Sequence, residues 1–103
     1  MTIRVALVGT GNAGRLALTQ LIDDDRFDLV GVCVNNPDKV GVDAGILAGG
    51  DSATGVVAVG DLESIIEGSP DVVVYCAMGD TRPIDAFNDI LMIVSAGIDV
   101  VGS

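Results

Sequence analysis

Six residues, Gly9-Thr10-Gly11-Asn12-Ala13-Gly14, constrain this chain more than any others. They stand between an apolar run, Ile3 to Val8, and a helical pattern that ends near Asp23. Strand, glycine turn and helix in that order form a phosphate-binding corner. Gly9 permits the tight exit from the strand. Gly11 lets backbone approach a pyrophosphate with no Cβ in the way, and Gly14 lets the helix lie close to the sheet. The N–H groups at the helix start, at the positive end of its dipole, then face the phosphate charge. Thr10, Asn12 and Ala13 are expected to wrap the pyrophosphate. G-x-G-x-x-G alone is weak; between a strand and a helix it predicts a bound dinucleotide.

The rest of the chain suits that corner. Its 103 residues make one domain, and half of them are apolar with only Phe27, Phe87 and Tyr75 aromatic. Such Val/Ile/Ala/Gly-rich composition fits a parallel sheet covered on both faces by helices. Five basic residues against fifteen acidic ones give a formal charge of −10. Nucleic acid and anionic membranes are therefore poor partners, since both recruit positive charge. A dinucleotide is compatible, because backbone amides hold its phosphates locally. Cys33 and Cys76 lie in apolar strand patterns, without C-x-x-C spacing and with no histidine in the chain, so both are expected in the core and no metal site is predicted. No charged-then-apolar leader and no apolar run of about 18 residues occurs, which predicts a cytoplasmic chain without a membrane span.

In order, strands are expected at Ile3 to Val8, Phe27 to Val34, Val56 to Val59, Asp71 to Cys76 and Ile98 to Val101. The first helix, Asn12 to Asp23, would face the sheet with Ala13, Leu16, Ala17 and Leu21. Asn35-Asn36-Pro37-Asp38 reads as a turn. A short helix fits Val42 to Ala48, with Asp43 near its start, and another fits Leu62 to Glu67, capped by Asp61 and ended by Gly68-Ser69-Pro70. Pro83 opens a last helix with an apolar stripe of Ile84, Phe87, Ile90, Leu91 and Val94, stopped by Gly97. This alternation predicts an α/β, Rossmann-type, doubly wound parallel sheet of about five strands ordered 3-2-1-4-5, with helices on both faces. Residues 1–103 form one dinucleotide-binding domain. Ending just after a strand, the chain is expected to be a fragment of a longer enzyme whose substrate domain is absent.

The end of the second strand bears on which cofactor is bound. Domains that prefer NAD usually place a carboxylate there, roughly 20 residues past the glycines, to bind the ribose 2′-OH. Asn35 and Asn36 occupy that position and Lys39 follows. A neutral amide does not repel a 2′-phosphate, and a lysine pairs with one. The expected cofactor is NADPH or NADH, with NADP favoured.

The corner, followed by Gly41-Val42-Asp43-Ala44-Gly45-Ile46-Leu47-Ala48-Gly49, resembles the N-terminal cofactor domain of dihydrodipicolinate reductases and the related 2,4-diaminopentanoate dehydrogenase-like enzymes. That family carries G-x-D-A-G-E-L-A-G after its second strand; this chain departs from it only at Ile46. Asp71 to Cys76 and Val100-Val101-Gly102-Ser103 are similar to the family's strand ends on the cofactor side. In the lysine-pathway reductases T-x-P follows the fourth strand at once, whereas here Ala77-Met78-Gly79-Asp80 precedes Thr81-Arg82-Pro83, as in the diaminopentanoate branch. The resemblance implies hydride transfer from a nicotinamide to a C=N bond of a small amino-acid-derived substrate, of the lysine/diaminopimelate or diaminopentanoate type. It implies no catalytic residue in this chain, because the family's histidines and lysine lie in a second domain. The second motif has a structural reading too: Asp43 caps a short helix while Gly45 and Gly49 permit close packing.

On this reading Asn35, Asn36 and Lys39 lie near the adenosine ribose. Ala77, Met78, Gly102 and Ser103 flank the nicotinamide at the carboxyl ends of the fourth and fifth strands. Two other functions use the same corner: a nucleotide-sensing regulatory module, and the cofactor domain of another two-domain dehydrogenase, for instance one acting on sugars. A homo-oligomer is compatible with an open sheet edge.

Overall fold

The computed structural model describes residues 2–51, 53–76 and 83–102, with the side chains of 12, 13 and 83–86 outside that description. Four strands, β1 (Ile3–Val8), β2 (Phe27–Cys33), β3 (Val72–Tyr75) and β4 (Asp99–Gly102), form one sheet in the order β2-β1-β3-β4. Every pairing is parallel. Four helices accompany them: α1 (Asn12–Asp23), α2 (Ala44–Leu47), α3 (Leu62–Glu67) and α4 (Pro83–Ser95), with a 3-10 turn at Pro37–Lys39.

Alternation along the central strand creates two cores. Val5 and Leu7 point to one face and pack with Leu18 and Leu21 of α1 and Ala44 of α2. Ala6 and Val8 point to the other, with Ile65 of α3 and Ile93 of α4. The helices therefore cover both faces, as the apolar strands require. Cys33 is buried in the second core, and Cys76 is half-buried against the first. Tyr75, fully buried on β3, donates from Oη to Asp89 Oδ2 on α4 at 2.6 Å, which pins that helix to the sheet.

Three expectations need correction. The sheet has four strands rather than five, and the order 3-2-1-4-5 loses its first member. Residues 56–59 do run beside β2, but they make only single bridges, Cys33 with Val59 and Asp43 with Val57. Their backbone is shared between two partners. Val59 bonds to Val32 and Val34, while Val56 and Ala58 bond to the 41–44 loop on the other side, so no ladder forms.

The second correction concerns α1. Leu16 is 69% exposed, and the buried positions are Gly14, Leu18 and Leu21. Contact of Gly14 with the corner sets the helix rotation, and Leu16, two residues on, lies about 200° around from it. In α4, Phe87, Leu91 and Val94 are exposed and Ile93 is fully buried. The Tyr75–Asp89 hydrogen bond fixes that phase, since Asp89 and Ile93 share a helix face at spacing four.

Candidate functional site

Everything at the corner follows from the sheet's central position. β1 ends at Val8, which is in register with Cys33 of β2 and Tyr75 of β3, and Tyr75 is in register with Gly102 of β4. The carboxyl ends of all four strands thus share one edge. Gly9 turns the chain there with φ of 95°, a left-handed conformation that favours glycine, and donates its N–H to Cys33 O at 2.9 Å. Gly11 is the N-cap of α1 in an extended conformation, and no side chain caps the helix. The leading N–H groups, from Asn12 to Gly14, lack intrahelical partners and project at the helix's positive end.

The other two glycines answer different needs. A Cβ on Gly14 would fall 2.0 Å from Gly9 O and 3.3 Å from Cys76 Cβ, so this glycine exists for packing. A Cβ on Gly11 would meet nothing within 4 Å. The space at this N-cap position is open, and protein packing does not explain why the position is bare.

Past β2, Asn35 and Asn36 are exposed, and Asn36 Oδ1 accepts from Asp38 N at 3.0 Å, capping the 3-10 turn. That turn carries Lys39 back to the corner. Its Nζ donates to Thr10 Oγ1 at 3.1 Å and to Thr10 O at 3.3 Å. Thr10 is itself buried, with 9% exposure. The two ends of the expected site are therefore joined directly.

The second motif is a structural clasp. Asp43 Oδ1 accepts from Gly45 N, Thr54 N and Thr54 Oγ1, and Oδ2 accepts from Gly55 N, all between 2.8 and 3.0 Å. Hydrogen bonds from Thr54 and then Gly45 hold its carboxyl below the ordinary aspartate range. Gly49, with φ of 91°, lies under the Arg15 guanidinium, and a Cβ there would be 2.6 Å from Nη2. A groove of about 320 Å³ between α1 and α2, lined by Thr19, Ile22, Ala48 and Gly50 among others, shares no residue with the corner.

No family's sequence profile matches the chain. An amine dehydrogenase of Streptomyces virginiae is 43% identical over 99 residues, which is 96% of this chain and 28% of the relative. The solved structure of amine dehydrogenase from Mycobacterium smegmatis superposes with a TM-score of 0.86 at 25% identity, over 99% of this chain and 30% of that one. GenD2 from gentamicin A biosynthesis, solved in complex with NAD, matches with a TM-score of 0.72 at 22% identity, over 98% of this chain and 26% of that one. The chain is a Rossmann domain. It spans less than a third of the length of these relatives.

Of the expected site residues, the Rossmann domain brings Gly9, Thr10, Gly11, Gly14 and Lys39 together, with the backbone of Asn12 and Ala13 opening α1. Asn35 and Asn36 lie at the end of β2 beside them. Gly102 ends β4 on the same edge. Ala77, Met78 and Ser103 lie outside the described residues. Among the described residues, no grouping of three or more His, Cys, Asp or Glu side chains suits a metal ion. No described helix is long and apolar enough to cross a membrane.

Sequence reasoning missed three features. The Lys39–Thr10 contact links residues 29 apart, and nothing in the local pattern signals it. The Thr54 and Gly55 partners of Asp43 carried a signal, since Thr-Gly is a turn pair that presents adjacent N–H groups. A tyrosine at an inward position of a buried strand signalled the need for a partner such as Asp89.

Proposed function

We propose that this domain holds a nicotinamide dinucleotide for a longer oxidoreductase that moves hydride between the cofactor and a C=N bond. The open space at Gly11 carries the reading. Gly11 is the N-cap of α1, beside free amides at the helix terminus, and its bare Cα leaves the approach of a pyrophosphate to them unobstructed. When bound, the nicotinamide supplies a hydride acceptor or donor. The chain's residues bind and orient it: the N–H groups of Asn12, Ala13 and Gly14 take the phosphates. Asn35, Asn36 and Lys39 take the adenosine ribose, with NADP favoured, and Ala77, Met78, Gly102 and Ser103 flank the nicotinamide.

The C=N chemistry has two supports of different kind. The segment Gly41 to Gly49 resembles that of dihydrodipicolinate reductases, which reduce C=N. The 43% identical relative bears the name amine dehydrogenase, and removal of hydride from an amine carbon gives C=N. Both reactions pass through the same bond. Groups that bind and protonate the substrate belong, on this reading, to a further domain.

Calorimetric titration with NADH and NADPH tests the proposal. The chain is expected to bind at least one of them, and Gly11→Val to abolish binding while the fold persists, because its side chain occupies the pyrophosphate's approach. Equal affinity in Gly11→Val would remove the corner as the site. Imine reduction by the longer protein, with none by this domain alone, is the expected activity.

A further inference from the structure

Lys39 has unusual surroundings for a cation in a chain of net charge −10. Its ammonium is partly buried, and its contacts are two neutral oxygens of one residue, Thr10. It makes no ion pair among the described residues, and the adjacent Asp38 does not approach it. An ammonium has three donors. Two are directed at Thr10, which leaves the third and the positive charge at the mouth of the corner, next to the end of β2. The Thr10 hydroxyl accepts from Lys39, so its own proton is left to donate.

Resting on the proposed cofactor role of this corner, we infer that Thr10 is a positioning residue that fixes Lys39 for the 2′-phosphate of NADPH. The geometry separates Thr10 from its neighbours in the glycine sequence. Asn12 and Ala13 open α1, whereas the Thr10 side chain is engaged from the other direction, by a residue that follows β2. The end of that strand is where the adenosine ribose lies in such sheets. A free lysine loses rotamer freedom when it captures an anion; one already held by a hydroxyl and a carbonyl has lost most of it. Phosphate then completes a charge-assisted set around Nζ. NADH offers a hydroxyl in place of the phosphate and gains nothing from the held charge. Thr10 and Lys39 therefore act as one unit whose effect is on the ratio of the two affinities.

Titrations of the chain with NADPH and NADH test this, using Thr10→Val, Thr10→Ser, Lys39→Met and the Thr10→Val/Lys39→Met double variant. Lys39→Met is expected to weaken NADPH on the order of tenfold or more. Thr10→Val should weaken it roughly fivefold, and both variants should lower NADPH affinity several-fold more than NADH affinity. Thr10→Ser restores the hydroxyl and should restore NADPH affinity, and the double variant should match Lys39→Met alone. Equal losses for both cofactors in Thr10→Val, no loss of NADPH, or additivity in the double variant would each overturn the inference while leaving the corner as a cofactor site. Failure of the unaltered chain to bind either cofactor would overturn both readings. Thr10→Ser and Lys39→Met keep the inference open to refutation if Thr10→Val fails to fold.

Discussion

Gly14 lies so close to Gly9 that a Cβ on the former would fall 2.0 Å from the carbonyl oxygen of the latter. Gly11, three residues earlier, would carry a Cβ into open space. The two glycines therefore respond oppositely to substitution. Gly14→Ala must move backbone, and is expected to cost about 3 kcal/mol or more, at the upper end of overpacking penalties. Gly11→Ala should cost under about 1 kcal/mol, the scale of an N-cap change. Urea unfolding of the two variants checks this, and similar midpoints would show that the helix does not sit against the corner as described.

Tyr75 ties the end of β3 to α4 through Asp89. The tyrosine is fully buried, so its hydroxyl has no water to fall back on. Tyr75→Phe should lower stability by about 1.5–3 kcal/mol, the range for a hydrogen bond to a charged group. Asp89→Ala removes this acceptor from the buried hydroxyl and should cost about 1–3 kcal/mol. Because the two act through one bond, the double variant should fall well short of the sum. Thermal unfolding of all three settles it; full additivity would mean that the bond contributes nothing.

The same tyrosine explains which parts of the fold were legible in the sequence. β1, α1 and α3 were read to the residue, and β2, β3 and β4 to within a residue or so, since unbroken apolar runs and capping residues such as Asp61 act locally. Helix rotation was not legible. In α4 every position from Ile90 to Val94 is apolar, so periodicity alone could not choose a buried face, and a polar contact to Tyr75 chose it. Likewise the glycine corner was legible because its constraints lie within six residues, whereas Lys39 reaches Thr10 only after the sheet has brought β1 and β2 into register.

Phe87 offers a direct check on that rotation. At 65% exposure it makes little use of the core, although its chemistry suggests otherwise. Phe87→Ser is expected to change stability by no more than about 0.5 kcal/mol. Ile93→Ala, at a fully buried position of the same helix, should cost about 2–5 kcal/mol. Comparable losses in chemical denaturation would mean that the sequence-derived stripe was right and the observed phase wrong.

Asp43 makes the 43–55 loop sensitive to acid. Its carboxylate holds Gly45, Thr54 and Gly55, and those bonds keep its folded pKa below the ordinary value of 3.8. A group depressed by folding contributes stability that is fully present above its unfolded pKa and is lost as pH falls through the folded one. The loop should therefore stay closed through neutral and mildly acidic conditions and open only below about pH 4. Global acid unfolding would not isolate this effect, because Asp24, lowered to about 2 by Arg26, and Asp61, lowered by Ser64, carry the same sign. A local measurement does. The Asp43 carboxyl carbon, followed by NMR, is expected to titrate with a midpoint below 3.8, and amide protection at Thr54 and Gly55 should fall in step with it. In Asp43→Asn one oxygen is replaced by an amide that faces a donor, so protection there should be low at every pH. A midpoint at or above the ordinary value, or protection in Asp43→Asn equal to that of the unaltered chain, would mean that the clasp does not hold the loop.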